Sequence, residues 1–487
     1  MNLSALGITA ATLPAALPAY RGAVSSGQLL GACRLAWENG GQLVALWTSD
    51  DRDRRRGFGL HVALRDADGL TLLDYTVPDE RTTYPDLAPI FAAANRMQRA
   101  AFDLTGAQSD NDDQRPWLWQ AAWPIDQFPL RRDFVALEKW QPGEEDYPFV
   151  RVVGDGVHEI PVGPVHAGII EPGHFRFQIV GEKVLRLEER LGYVHKGIEK
   201  RFETMTLAEG YRLAGRISGD STVAYAFAYA QAVEAMAEHT VPVRAAWLRA
   251  LFTERERLAN HLGDLGYLGN DGGFAFGLSQ FSRLKEDVLR TNHAAFGHRM
   301  LMDAIVPGGV ACDLDAAHAA AIRAECERLG REIRTLQAIY DDHAGLQDRF
   351  RTCGRVTPAL AVRLGLTGMP ARASGQARDL RVDFPCAPYD TLGVRIATRT
   401  DGDVAARVAV RFDEAQESLR LIRAIVEAAP AGELHTSLPA IADQRTGVGF
   451  VEGWRGPVFI AIESGADGTI RRAHPQDPSW SNWPVLE

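Results

Sequence analysis

The chain has 487 residues, 46% of them hydrophobic, enough to bury large cores and to fill two domains. Its net charge of −10 argues against nucleic acid or an anionic membrane surface as a partner. No apolar run reaches the roughly 20 residues needed to span a bilayer, and the N-terminus lacks the basic start of a signal peptide, so a cytoplasmic chain is expected. Cys33, Cys312, Cys326, Cys353 and Cys386 form no C-x-x-C, which leaves no locally written iron–sulfur or structural zinc site and reads as free thiols.

Residues 1–135 read as a mixed α/β unit. Leu29 to Trp37 and Gln42 to Thr48 alternate apolar and polar residues around Asn39-Gly40-Gly41, which predicts a strand pair. The charged run Asp50 to Arg56 reads as a solvated loop or an interaction patch. Phe58 to Leu64 and Leu70 to Val77 predict further strands, and residues 84–106 predict a helix with Pro89 in its first turn and Gly106 after its end. Residues 112–134, rich in Trp and Pro, read as irregular chain draped over a neighbouring surface. A linker is expected over residues 136–160.

Beyond it, period-two alternation predicts a hairpin from Phe175 to Leu187, with Gly181-Glu182 at the turn. Helices are expected over 221–238, 243–264, 278–303, 314–350 and 403–428, with Pro307-Gly308-Gly309 as a break. Residues 448–463 predict strands around a Gly-Trp-Arg-Gly turn.

The segment Arg216-Ile217-Ser218-Gly219-Asp220-Ser221 has the outline of an R-x-C-G-x-C metal turn with serines in place of both cysteines. A serine hydroxyl does not ionise near neutral pH, so Ser218 and Ser221 do not replace thiolates on nickel. Standing before an apolar helix, they predict an N-cap. His166, His174 and His195, spaced by 8 and 21 residues, match no ligand pattern and read as structural. Glu171, before a Pro-Gly turn, can shuttle protons if it faces a cavity. Arg216 and Arg455 in their Gly-flanked turns face either an anion or cofactor, or carboxylates such as Asp220 or Glu452.

Several stretches occur together and in a fixed order: RPWL at 115–118, GPVHAGIIEPGHF at 163–175, GYVHKGIEK at 192–200, VPGGV at 306–310, RASGQARDLR at 372–381, GWRG at 453–456 and SNWPVLE at 481–487. They resemble the large subunit of group 4 membrane-bound nickel–iron hydrogenases of the formate hydrogenlyase type, and the related complex I subunits that bind quinone. The resemblance implies an α+β N-terminal domain like the complex I 30-kDa subunit (1–135). After the linker (136–160) it implies a mainly α-helical domain like the nickel–iron hydrogenase large subunit or the complex I 49-kDa subunit, with small β-hairpins (161–487). It also implies a small iron–sulfur (complex I 20-kDa-like) partner, a ferredoxin-like subunit and antiporter-like membrane-arm subunits. Peripheral attachment to the inner face of the plasma membrane follows from those partners.

Against the family pattern, both cysteines of the first pair fall on Ser218 and Ser221, and its following histidine falls on Tyr225. Asp477-Pro478-Ser479 resembles the start of the second pair's D-P-C-x-x-C, but Asn482-Trp483-Pro484-Val485-Leu486 matches a segment that precedes that motif, so the second pair is expected to lie beyond this chain. The quinone-binding tyrosine falls on Gly219, which leaves quinone binding open. Glu171 and Arg455 match a proton-transfer Glu and an Arg beside the ligands, with His166, His174, Arg216, Ser218, Ser221 and Tyr225 as further cavity candidates. The resemblance with its departures predicts an NADH:quinone oxidoreductase-like subunit without a nickel–iron centre or any directly bound cofactor, its iron–sulfur cluster carried by the partner. The alternative is an inert scaffold that couples a redox partner to the membrane arm.

Overall fold

The computed structural model describes residues 3–79, 82–124, 126–135, 143, 147–166 and 170–487. They divide into two units: one holds the residues through Thr12, Tyr20–Arg201 and Trp480–Glu487, the other Leu13–Ala19 and Phe202–Ser479.

In the first unit, Ser25 and Gln28 open helix α1 (Ser26–Glu38) with a capping box, in which Gln28 N donates to Ser25 Oγ and Ser25 N donates to Gln28 Oε1. This replaces the strand expected at Leu29 to Trp37. Leu29, Ala32, Cys33 and Ala36 are the buried positions, and their i, i+3, i+4, i+7 spacing is helical. A five-stranded sheet follows the order β1-β2-β5-β4-β3, with β1 at Ala11–Thr12, β2 at Ala19–Ala23, β3 at Gln42–Asp50, β4 at Phe58–Asp66 and β5 at Gly69–Val77, and its β1–β2, β3–β4 and β4–β5 pairs are antiparallel. The expected helix over 84–106 is regular only as α2 (Ala94–Thr105). Gly106 ends it at φ 79°, and its N–H donates to Phe102 O. Residues 84–93 instead make turns, and Gln98 Oε1 takes the Leu87 N–H there.

The Trp-rich segment is irregular, as its composition implied. One carboxylate oxygen, Asp103 Oδ2, gathers the N–H groups of Trp117, Leu118 and Trp119 at 2.6–3.1 Å. The predicted hairpin is present as β7 (His174–Val180) and β8 (Lys183–Arg190), with Gly181 at φ 57°. A third strand, β6 (Val157–Val162), pairs with β7 where the sequence suggested linker; residues 136–142 and 144–146 of that linker lie outside the described residues. The compact unit therefore continues past residue 135, through Arg201.

The second unit is a helical bundle backed by a small sheet. Its long helices are α3 (Thr222–Met236), α4 (Val243–Asp271), α5 (Ala275–Phe296), α6 (Ala316–Asp342) and α7 (Val404–Ala428). Helix α4 packs against α5 and α7, and α6 packs against α7. The single helix expected over 314–350 breaks at His343, whose ring accepts the Leu346 N–H and starts a second helix, Ala344–Phe350. Two short strands, β9 (Ile305–Val306) and β10 (Gly309–Val310), flank the Pro307-Gly308 break.

Strands β11 (Thr446–Glu452), β12 (Pro457–Ser464) and β13 (Ile470–Gln476) form an antiparallel sheet in that order, with Gly453 to Gly456 as the first turn. The sequence reading missed β13, whose IRRAHPQ alternates poorly. Helix α3, buried along nearly its whole length, lies on β11 through glycines. A Cβ on Gly449 would stand 1.8 Å from Ala228 O, and one on Gly447 2.0 Å from Ala232 O. Gly449→Ala is therefore expected to destabilise the chain by ~3 kcal/mol or more in chemical denaturation. Gly219→Ala, where a Cβ meets nothing within 4 Å, should change stability by less than about 0.5 kcal/mol. Equal effects would mean that α3 is not seated this closely.

Candidate functional site

The chain enters α3 through the serine turn, and the turn does not cap the helix as expected. Ser221 occupies the cap position without a side-chain bond to the helix. Ser218 Oγ and Ser221 Oγ instead donate to Asp220 Oδ1 at 2.7 and 3.2 Å. The capping acceptor comes from the neighbouring helix: Glu256 on α4 takes the Val223 N–H at 2.6 Å and the Ala224 N–H at 3.1 Å. A carboxyl group there satisfies two orphan donors of the helix, which frees the serines for Asp220. Asn260, one turn further along α4, donates to the Asp220 backbone carbonyl at 2.7 Å and braces the turn.

Asp220 also receives the guanidinium of Arg455 in a two-pronged ion pair, Nη1 to Oδ1 at 2.9 Å and Nη2 to Oδ2. Arg455 projects from the β11–β12 turn and lies over the Trp454 ring at 4.3 Å. Burial alone would raise the Asp220 carboxyl, but Arg455 and the two serine hydroxyls outweigh it and hold it below its usual range. About a third of each partner's side chain stays exposed, so the pair stands at an accessible surface.

Tyr225, one turn into α3, donates its hydroxyl to Asp477 Oδ2 at 2.8 Å, and Asp477 Oδ1 takes the Ser479 N–H at 2.9 Å. Burial and the Asp477 charge raise the phenol well above its ordinary value, so it stays a donor. Asp477-Pro478-Ser479 thus stands beside the first turn of α3. Two open alternatives also resolve. Arg216 turns to Asp303 at 2.5 and 2.8 Å, and Glu452 pairs with Arg372 rather than with Arg455.

Glu256 gives the turn a pH signature. Burial pushes its carboxyl up from 4.5 to about 8, against the two backbone donors and with the Asp220 charge adding to the rise. The unfolded chain then releases this proton between pH 4.5 and 8 while the folded chain keeps it, so the contribution is full below 4.5 and is lost as pH rises to about 8. Glu189 in the first unit, pushed up to about 7 by burial against Arg96, acts with the same sign. The histidines held below 6.5 act with the opposite sign at lower pH, so denaturation midpoints should fall with rising pH between about 6.5 and 8.5. Glu256→Gln should flatten the upper part of that fall, and an unchanged slope would refute the assignment.

The remaining candidates belong to the first unit. His174 Nδ1 faces Gly163 O at 3.3 Å and its Nε2 accepts from Arg176, while burial and Arg176 hold its ring below the usual imidazole value. His166 Nε2 faces the Glu171 backbone oxygen at 3.3 Å, and the Glu171 side chain is exposed. His195 stacks on Trp123, with burial lowering its titration. The second unit therefore gathers Ser218, Ser221, Tyr225 and Arg455 of the predicted set, together with Asp220, Glu256, Asn260 and Asp477, and turns Arg216 away. Glu256 and Asn260 had one sequence signal, polar residues at i and i+4 on an otherwise buried helix face.

The donor set does not fit a soft metal. The serine hydroxyls spend their protons on Asp220, and the turn itself carries no thiol. What the turn presents is a neutralised guanidinium, two hydroxyls and a phenol–carboxylate pair, groups suited to a small polar ligand or to moving a proton.

Two family models match the chain. Residues 23–139 match the 30 Kd subunit of respiratory-chain NADH dehydrogenase, and residues 271–447 match its 49 Kd subunit. Formate hydrogenlyase subunit 5 of Escherichia coli (strain K12) is 29% identical, over 93% of this chain and 81% of that protein. Hydrogenase-4 component G of the same organism is 31% identical, over 93% of this chain and 80% of the relative. Among solved structures, a chain of the membrane-bound sulfane sulfur reductase, an archaeal respiratory membrane complex, has the same fold. Its TM-score is 0.65 at 24% identity, over 69% of this chain and 93% of that one. No helix among the described residues is long and apolar enough to cross a membrane. By these matches the chain belongs to the family that joins a 30-kDa-type and a 49-kDa-type NADH dehydrogenase domain in one polypeptide, together with formate hydrogenlyase subunit 5 and hydrogenase-4 component G.

Proposed function

We propose that this chain is the large, nickel-free subunit of a membrane-associated redox complex and that it handles electrons and protons at the Asp220–Arg455 turn. In this reading the iron–sulfur cluster sits on a small partner subunit, a ferredoxin-like subunit and antiporter-like membrane-arm subunits complete the assembly, and electron flow drives ion translocation. The carrying observation is the serine turn, where both hydroxyls donate to an aspartate that an arginine also clamps, an arrangement with no thiolate to offer nickel. An exposed proton-transfer candidate, Glu171, and a quinone-class acceptor are consistent with it. Membership in a family whose relatives are subunits of hydrogenase and respiratory membrane complexes supports the setting.

Purification of the assembled complex tests this directly. Elemental analysis should find no stoichiometric nickel, and turnover should appear with a quinone, NADH or ferredoxin couple. One nickel per chain would overturn the metal assignment, and absence of turnover with every couple would favour the scaffold alternative.

A further inference from the structure

Helix α4 turns a second face away from Asp220, toward charges sealed from water. Glu254, Arg257 and His261 of α4 meet Arg372, Asp379 and Arg381 from the 368–383 segment, Glu414 of α7 and Glu452 at the end of β11, none more than 5% exposed. Arg372 donates to Glu414 at 2.7 Å and to Glu452 Oε1 at 2.8 Å. Arg381 bridges Asp379 at 2.7 and 3.0 Å and Glu254 at 2.9 Å. Arg257 stands 3.7 Å from Glu254 and 3.6 Å from Glu414, and donates to the Glu452 backbone carbonyl at 2.7 Å.

The charges do not balance. Four carboxylates face three guanidinium groups, and the interior gives a lone charge no solvation. Neighbouring groups do not help: Arg411–Asp264 and Arg420–Glu417 are each neutral in themselves, and the half-buried Arg378 and exposed Asp383 flanking Asp379 carry opposite charges. Glu256 faces the α3 terminus instead, and Tyr389 and Ser418 only donate hydroxyls to Glu254. Nor does His261 supply the missing positive charge. Its Nε2 lies 2.8 Å from Glu414 and must carry the hydrogen, while its Nδ1 has no partner, so a second proton would bury an N–H with no acceptor.

The balancing proton must then sit on a carboxyl. Glu254, Glu414 and Asp379 each face two guanidinium groups, whereas the Glu452 side chain faces one. Glu452 has one N–H from Arg372 and a 3.2 Å contact from Leu380 N. It also shares Arg372 Nη1 with Asp379, 3.6 Å away on the same nitrogen, so two carboxyl groups crowd one donor. We propose that Glu452 is a buried proton-storage site, carrying one proton beside the ionised Asp379 that crowds the same guanidinium nitrogen, which makes the network neutral. Burial and the Asp379 charge raise Glu452, and burial lowers His261, the directions this assignment requires.

Release of that proton ionises the Glu452 carboxyl and leaves one negative charge at the base of the turn whose tip is Arg455. Trp454 lies between Arg455 and His261 of the network, under the Arg455 guanidinium and edge-on to the His261 ring at 6.1 Å. The use of this store in turnover rests on the function proposed above, whereas its existence does not.

Infrared spectroscopy of the full-length chain at pH 7 tests it through the protonated-carboxyl stretch. Glu452→Gln should remove one carboxyl's intensity and keep the melting temperature within about 3 °C of the parent, since the network stays neutral. Asp379→Asn should also remove it, because the remaining three carboxylates then balance three cations and Glu452 ionises. An unchanged band in Glu452→Gln, or a melting temperature that falls by 10 °C or more on the order of a broken buried pair, would overturn the proposal. In the assembled complex, loss of the band with unchanged turnover would leave the store standing and remove its role in the reaction.

Discussion

Arg372→Met is expected to destabilise the chain by about 3–5 kcal/mol, or to prevent folding of the second unit. The guanidinium is fully buried and holds Glu414 and Glu452 at once, with Asp379 3.6 Å away. Methionine fills most of the volume but leaves the Glu414 and Asp379 carboxylates short of a cation and the Glu452 carboxyl without its donor, in a place where water cannot replace it. Arg216→Met is the matched control. It removes an ion pair of similar geometry to Asp303, but both partners are more than a third exposed, so a loss between about 0 and 1 kcal/mol is expected. Urea denaturation of the two variants decides the matter: similar losses would mean that the 372 network is not dry.

Arg455→Met in the assembled complex is expected to lower redox turnover by roughly 100-fold or more while leaving the fold intact. The two effects separate because of where the pair sits. With a third of its side chain exposed, Asp220 can be solvated once Arg455 is gone, and its serine and asparagine contacts remain, so a stability loss below about 1 kcal/mol is expected. Turnover depends instead on a fixed, two-pronged guanidinium beside the hydroxyls, and Arg455→Lys, which cannot reproduce that fork, should restore little. Turnover equal to the parent in both variants, with assembly unaffected, would sink the catalytic reading and leave a coupling scaffold.

Local pattern carried the parts of this chain whose neighbours in sequence are also neighbours in space. The β7–β8 hairpin, the turn at Gly453 to Gly456 and helices α3 and α7 stand close to where alternation and helical spacing put them. Helix α1 escapes an alternation pattern because its signal lies in the Ser25–Gln28 box and the 29, 32, 33, 36 spacing. Strands β6 and β13 were missed because each is held by a partner strand and not by its own pattern, Val157–Val162 by β7 and Ile470–Gln476 by β12.

By itself the sequence determined the residue types at the turn: serines at 218 and 221, an arginine at 455, and no paired cysteines anywhere. It could also show the family by the order of its segments. Only the tertiary structure decided what those side chains do. Asp220 meets an arginine 235 residues away, Tyr225 an aspartate 252 residues away, and the cap of α3 comes from a different helix. Hydrogen bonds and charge balance in a buried site depend on which groups share a volume from which water is excluded, and that is set by packing over long separations rather than by spacing along the chain.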